Sequence, residues 1–557
     1  MNIFVDNGKK ISLSKKDFID AGGEGQVYAK DGLAYKIYNS KKNVIDPIKI
    51  KELSVIKNED IIRPKSVVLD SKNIPIGYSM RHIDNAFPLC KIFTKSFKDK
   101  NNILVNNVID LIEDMKAKIY HIHDNDILIV DLNEMNFLID KNFKKILFID
   151  VDSYKTKSFS ATAIMESIRD RHSSGFSEET DWFSFAIVSF EMMVGIHPYK
   201  GRHPAYKGNK HLDERMMKNV SVLNGDVSIP KICLPLDKIP SQYYDWYNSV
   251  FELGKRLPPP DGVAVKICTP DIIIVDNHAV NILTEKIQEY NSKIYSIDFL
   301  SGDLVSTSDD GIFVNNKNHE FKGTKVCLSK KKNKIIAARV EKDIIKAYNI
   351  TDSKDIVCNL SSESIMSYNG FLYSKNKDGL YRIEFLEVGK NICASMKLVC
   401  NVLDNATKIF DGIVTQNLLG SHYISVFENE VHTQLKIPEL SSYRVIDAKY
   451  DNGVAIIFAE KQSKYYEFII KINNHGEYDI SVREDVMLSS INFVSLDTGV
   501  CVRIDSEGDL ELFCNRIGYD DKKVIKSGTL HNSVLYRDGS SALILENNIV
   551  YRLKLKK

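Results

Sequence analysis

The strongest constraint on this chain is a change of pattern near its middle. Up to the run Lys255-Arg256-Leu257-Pro258-Pro259-Pro260-Asp261-Gly262, short strand-like segments alternate with long amphipathic ones. Ile103–Tyr120 carries apolar side chains at Leu104, Val108, Leu111, Ile112, Met115 and Ile119, a helical stripe. Asp181–Val194 reads as a second, largely buried helix. Three consecutive prolines then remove backbone donors and break regular structure. Beyond about residue 270 the segments are short and rich in β-branched and aromatic residues, as in Val454-Ala455-Ile456-Ile457-Phe458 and Tyr465-Tyr466-Glu467-Phe468-Ile469-Ile470, with Asp, Asn, Gly, Ser and Lys clusters between them. The chain therefore divides into a mixed α+β part, residues 1–265, and an all-β part, residues 270–557.

The all-β part carries an internal echo. A polar turn followed by a strand recurs as Asp310-Gly311-Ile312-Phe313, Asp378-Gly379-Leu380-Tyr381, Glu507-Gly508-Asp509-Leu510 and Asn547-Asn548-Ile549-Val550. Repetition over so long an all-β stretch predicts a β-propeller with blades of roughly 40–50 residues. A stacked β-sandwich is the alternative, but sandwiches seldom run this long as one unit.

Charge and cysteine usage narrow the function classes. Basic residues number 75 and acidic ones 74, a net charge of +1, which argues against a chain-wide attraction to nucleic acid or to anionic membranes. The run Ser329-Lys330-Lys331-Lys332-Asn333-Lys334 lacks the interleaved aromatics of a nucleic-acid surface and reads as a charged turn. The nine cysteines form no C-x-x-C pair, so neither a zinc site nor a disulfide framework is expected. Together with an N-terminus that lacks a signal-peptide pattern, this predicts a cytoplasmic protein without a membrane span.

Four segments of the first part follow one another in an order that suits phosphoryl transfer. Ala21-Gly22-Gly23-Glu24-Gly25-Gln26-Val27-Tyr28 has close glycines that let the backbone approach phosphate oxygens, with Val27 to pack on a base. Ala34-Tyr35-Lys36-Ile37-Tyr38 is an alternating strand with one lysine. Ile129-Val130-Asp131-Leu132-Asn133-Glu134-Met135-Asn136 sets an aspartate and an asparagine five apart between a helix and a strand. Leu147-Phe148-Ile149-Asp150-Val151-Asp152-Ser153 ends a buried strand in carboxylates. Taken singly, each is as well explained by a turn, a cap or a solvated edge.

Together they resemble the protein-kinase motif set: the Gly-rich loop, the V-A-I-K strand, the H-R-D-x-x-x-x-N catalytic loop and D-F-G. The pattern is similar to that of a divergent bacterial and phage subgroup with D-L-N-x-x-N and I-D-x-D-S motifs. The resemblance covers the first part only. It implies a bilobal fold, with an N-lobe to about residue 80 and a C-lobe from about 84 to 265. It also implies ATP and Mg2+ as cofactors and transfer to a Ser or Thr hydroxyl. On this resemblance Gly22, Gly23 and Gly25 cover the phosphates, Lys36 clamps them, and Glu52 (with Glu59 in reserve) pairs with Lys36. Asp131 orients the hydroxyl, and Asn136 and Asp150 hold Mg2+. The hinge segment Gly77–Ile83, with Met80 and His82, meets the adenine. Thr180-Asp181-Trp182 resembles the D-x-W signature, whose aspartate holds the catalytic-loop backbone; that role is structural.

The departures are informative. Asp20 stands for the first glycine of the loop, Ile129 and Val130 for His and Arg, Asn133 for the usual lysine, and Asp152 for the glycine of D-F-G. Asp152 is expected to crowd the metal site with extra negative charge. His121 and His123, two apart, face different ways on a helix and are expected to finish it, where cations suit the dipole. Ser158, Ser160, Thr162, Ser173 and Ser174 are candidate phosphosites. The expected activity is a Ser/Thr protein kinase whose β part binds a protein substrate or partner. A pseudokinase or ATP-binding scaffold, and a small-molecule kinase, are the rival readings.

Overall fold

A computed structural model describes all residues except 6–7, 162–163, 207–210, 262–281, 429–430, 463, 529 and 556–557. The expected boundary at 265–270, Cys268 and the candidate phosphosite Thr162 lie outside the described residues.

The first part opens with strands β1 (Asn2–Val5), β2 (Lys9–Ser12), β3 (Phe18–Ala21), β4 (Gly25–Lys30) and β5 (Leu33–Tyr38), then helix α1 (Pro47–Leu53), β6 (Ser66–Leu69) and β7 (Pro75–Arg81). The strands form one antiparallel sheet in the order β2-β1-β6-β7-β5-β4-β3. Asp31-Gly32 closes the β4–β5 hairpin, with both residues at positive φ (51° and 75°), the backbone that a two-residue hairpin turn needs. Gly77 is obligatory where β7 crosses β5, since a Cβ there would come within 1.9 Å of the Lys36 carbonyl oxygen.

The short strand β8 (Phe87–Pro88) leads into α2 (Lys95–Lys100) and α3 (Val105–His123). It is joined in a three-stranded sheet by β9 (Phe137–Ile139) and β10 (Ile146–Phe148). Then come α4 (Glu178–Val194), α5 (His211–Lys218) and α6 (Ser241–Phe251). The α3 stripe is buried as the spacing predicts, except that Leu104 precedes the first turn and is 70% exposed. Helix α4 is apolar on nearly every side and runs through the centre, packed on α3 through Tyr120 and Trp182. Among the described residues no helix is long and apolar enough to cross a membrane.

The described residues of the second part form seven four-stranded antiparallel sheets. Six follow in chain order, starting at Ile294–Leu300, Lys325–Leu328, Ser364–Tyr368, Thr407–Ile409, Arg444–Asp451 and Phe493–Ser495. The seventh combines Val534–Asp538, Ser541–Glu546 and Ile549–Leu555 with Ile282–Glu289, the first described strand of this part. Each sheet buries an apolar face against its successor: Val305 and Ile312 on Val326 and Ala337, for example, and Ile413 and Val426 on Val445 and Ile457. The seventh packs in turn on the first through Leu543, Val550, Ile294 and Ile297, so the packing closes on itself. The four echoed turns all lie between the second and third strands of their sheets or, in the seventh, between Ser541–Glu546 and Ile549–Leu555.

The two parts share a core. Ile446, Phe458, Tyr465 and Leu488 of the β part belong to the apolar cluster built around α3 and α4, and Ala406 packs into the core of the β1–β7 sheet.

Candidate functional site

Lys36 sits mid-strand on β5 and is only 7% exposed. A buried ammonium needs partners, and it has three: Asp150 Oδ1 at 2.7 Å, Asp152 Oδ2 at 2.9 Å and Glu24 Oε2 at 3.2 Å. Glu24 comes from the glycine loop, where Gly22 N–H donates to the Gly25 carbonyl at 2.9 Å. At Gly25 a Cβ would come 2.5 Å from the Ile37 carbonyl oxygen, so the loop strand lies flush on β5 only because that residue is glycine. Gly22 and Gly23 are exposed, with open space around them.

The expected partnership of Lys36 with Glu52 is not formed. Helix α1 is only seven residues long and turns Lys49, Ile50 and Leu53 inward, which leaves Glu52 on the outside. Its Oε2 accepts from the Ser158 backbone N–H at 3.3 Å instead. Glu59 is exposed as well. The acid that takes the place is Asp152, 6% exposed. Besides Lys36 it accepts from Tyr38 Oη at 2.6 Å and Tyr78 Oη at 2.7 Å, and its carbonyl accepts from Lys49 Nζ at 2.7 Å.

Asp131 and Asn136 come from the loop between α3 and β9. Asn136 Nδ2 donates to the Asp131 carbonyl at 2.9 Å and lies 3.3 Å from its Oδ2. Asp131 Oδ1 accepts from the Met165 backbone N–H at 2.8 Å. The Asn136 carbonyl accepts from Ile149 N–H at 2.9 Å, which ties this loop to the residue before Asp150. Two non-glycine residues here are left-handed, Val130 (φ 66°) and Asp150 (φ 59°). A β-branched residue there is strained and has to be held by its surroundings. The holder is Asp181, fully buried on α4: its carboxylate accepts from Ile129 N–H and Val130 N–H, each at 2.8 Å, and lies 2.9 Å from His123 Nε2. His123 ends α3 as expected, with His121 in the same last turn, and is buried there as the partner of Asp181.

The electrostatics separate the acids. Burial, reinforced by the charge of Asp152, pushes Asp150 up to about 6. Burial acts on Asp152 too, but Lys36 and the two phenols outweigh it and hold its carboxyl below the usual range. Burial raises Asp131, against the Met165 hydrogen bond. Glu24, Asp150 and Asp152 each bring a carboxylate oxygen within 4.8 Å of the others, a set of hard oxygen donors of the kind Mg2+ takes.

The remaining expected residues line the β4–β5–β7 surface. Val27 lies opposite Lys36 across β4–β5, and Met80 opposite Ala34 across β5–β7. His82 N–H donates to the Gly32 carbonyl at 3.4 Å, and its Nδ1 is 3.1 Å from Asp84. Reading the motifs alone misses Glu24, Tyr38, Tyr78 and Lys49. It also misses Asp170, which stands outside the quoted motifs and is clamped by Arg256 through two contacts of 2.6 Å.

The β part reaches this region. Tyr465 Oη donates to Glu134 Oε1 at 2.8 Å within the Asp131–Asn136 loop, and Arg444 Nη1 is 3.4 Å from the Met135 carbonyl. Asn417 Nδ2 lies 3.3 Å from Asp20, at the foot of the glycine loop.

No known family model matches the chain. Over 135 residues, 22% of this chain, it is 29% identical to a probable serine/threonine-protein kinase of Dictyostelium discoideum, and the match spans 10% of that protein's length.

Proposed function

We propose that residues 1–265 form a bilobal protein-kinase-like domain that transfers the γ-phosphate of ATP, with Mg2+, to a serine or threonine hydroxyl of a protein. The observation that carries this reading is the linked set Lys36–Asp150 and Asn136–Asp131, joined through Ile149 and braced by Asp181. Lys36 would hold the phosphates, and Asp150 and Asn136 would hold Mg2+, which when bound offsets charge on the transferring group. Asp131 would orient the hydroxyl and draw its proton. The partial likeness to a probable Ser/Thr kinase supports the same class.

Residues 270–557 are proposed to be a seven-bladed β-propeller that engages a protein substrate or partner. The closed circuit of sheet packing and the shared seventh sheet support it. The chain is proposed to work in the cytoplasm, where its unpaired thiols, among them Cys90 and Cys501, stay reduced.

The test is incubation with γ-labelled ATP and Mg2+ beside Lys36→Ala and Asp131→Ala. Label on the wild type alone, on itself or on an added protein, is expected; equal label on all three would refute the reading. One observation favours a pseudokinase instead: Asp131 is already engaged by Met165 N–H, and Asn133 stands where a lysine would steady the γ-phosphate. ATP binding without turnover, unchanged by Asp131→Asn, would establish that alternative.

A further inference from the structure

Lys36 can serve phosphate only if an acid holds its ammonium in the cleft without consuming the acid that the metal needs. Asp150 at 2.7 Å is the nearest carboxylate, and it is also the one assigned to Mg2+. A second acid must therefore carry the lysine. Three candidates are present, and the geometry separates them. Glu52 is turned outward to the Ser158 backbone. Glu24 stands at 3.2 Å, on an exposed glycine loop with a side chain 44% exposed. Asp152 is fixed: its carboxylate is 5% exposed, both oxygens are filled by phenols, and its own backbone carbonyl is gripped by Lys49.

We infer that Asp152 is the residue that positions Lys36, in place of a helix-borne glutamate. Tyr38, Tyr78 and Lys49 lock it beside the ammonium, so that Lys36, which also meets Asp150 at 2.7 Å, keeps a carboxylate partner when Asp150 turns to the metal. This rests on the nucleotide-binding reading given above. Three features follow from it. The acid is on the same short segment as Asp150, two residues on, so a single turn at Val151–Ser153 sets both the metal ligand and the lysine holder. The four groups converging on Asp152 come from β5, α1 and β7, so the holder is built by the folded sheet and needs no swing of α1 to assemble. The extra aspartate of Asp150-Val151-Asp152 does bring negative charge beside Asp150, and the Lys36 ammonium at 2.9 Å offsets it.

If Asp152 is neutralised, Lys36 keeps only Asp150 and Glu24 as partners. It then competes with Mg2+ for Asp150. The experiment is calorimetric titration of ATP into the full chain across a series of Mg2+ concentrations, with steady-state phosphotransfer measured in parallel. For Asp152→Asn the Mg2+ needed for half-maximal ATP binding is expected to rise several-fold, and kcat to fall more than KM for ATP. Asp152→Glu is expected to recover part of both. Tyr38→Phe, which removes one half-buried donor from Asp152, is expected to shift the Mg2+ requirement the same way by a smaller factor, and it keeps the test open should Asp152→Asn fold poorly. An unchanged Mg2+ requirement in both Asp152→Asn and Tyr38→Phe would overturn the inference. So would a Glu52→Gln variant that shows the shift while Asp152→Asn does not. Absence of ATP binding by the wild type at every Mg2+ level is the distinct result that removes the nucleotide-binding reading itself, and the inference with it.

Discussion

The two parts of this molecule spend their buried charges differently. In the β part they form closed sets. Glu467, 1% exposed, is met by Arg503 at 2.9 Å and Arg483 at 3.2 Å, and Arg483 also reaches Glu511 at 2.6 Å. Its positive-φ residues, such as Lys342, Asp343, Asn369 and Asn547, stand at turns between strands, where that backbone is routine. In the first part three carboxylates crowd one lysine, and the left-handed residues include Val130 and Asp150, beside the groups that would do chemistry. Balanced charge and relaxed turns suit the scaffold role proposed for the β part, and unbalanced charge and strain held from outside suit the site proposed for the first part.

The largest expected effect tests whether the strain is truly held by Asp181. Asp181→Asn would set an amide N–H2 or a single oxygen against two buried backbone N–H groups and His123. A loss of about 3–5 kcal/mol is expected, the range for breaking a buried charged network. It would be read as a fall in the unfolding midpoint of the full chain, with loss of phosphotransfer. A midpoint within error of wild type would show that Val130 keeps its conformation unaided and would blunt the contrast. The counterpart in the β part is Glu467→Gln. There the cost is expected to be about 1.5–3 kcal/mol, as for a hydrogen bond to a charged group, with ATP binding unaffected. Lost ATP binding in a stably folded Glu467→Gln would mean that the β part's charges are not merely structural.

How much of this was legible in the sequence follows the same division. The motif order from Gly22 to Asp150 is readable because each motif is local: a strand, a loop, a strand end. So is the bracing role of Asp181, because the resemblance includes it, and its two backbone hydrogen bonds are present. The partner of Lys36 was not readable, since Asp152 is 116 residues away and owes its position to where β7 and α1 place Tyr78 and Lys49. A glutamate on the nearest helix is the natural expectation. It fails because a seven-residue helix has room for only one buried face, and Lys49 occupies it. In the β part the echoed turns exposed the repeat, but only four of seven sheets carry the echo strongly. Elsewhere the corresponding turn is Lys342-Asp343 or Leu419-Gly420, chemically different residues at the same place in the sheet. The contact between the parts left no trace, because it depends on single residues such as Tyr465 and Arg444 in otherwise ordinary strands.

That contact yields the smallest effect and the sharpest question: whether the scaffold is independent of the site it touches. Burial pushes both Glu134 and Tyr465 up, so the pair is held as a phenol donating to a carboxyl that resists ionisation. Tyr465→Phe keeps the ring and removes only the donor, at an expected cost of about 1–2 kcal/mol for leaving a buried acceptor unmet. The sign of the pH dependence follows from Glu134. A carboxyl whose folded pKa lies above its unfolded value contributes stability at acid pH that is lost as pH rises through the folded pKa. Wild type should therefore lose more stability than Glu134→Gln as pH climbs from the ordinary glutamate range towards neutrality. Denaturant midpoints at a series of pH values measure this. If Tyr465→Phe also lowers kcat while leaving ATP affinity intact, the β part is holding the Asp131–Asn136 loop in its working form, and the division between scaffold and site breaks down at this one hydrogen bond. If only the midpoint moves, the division stands.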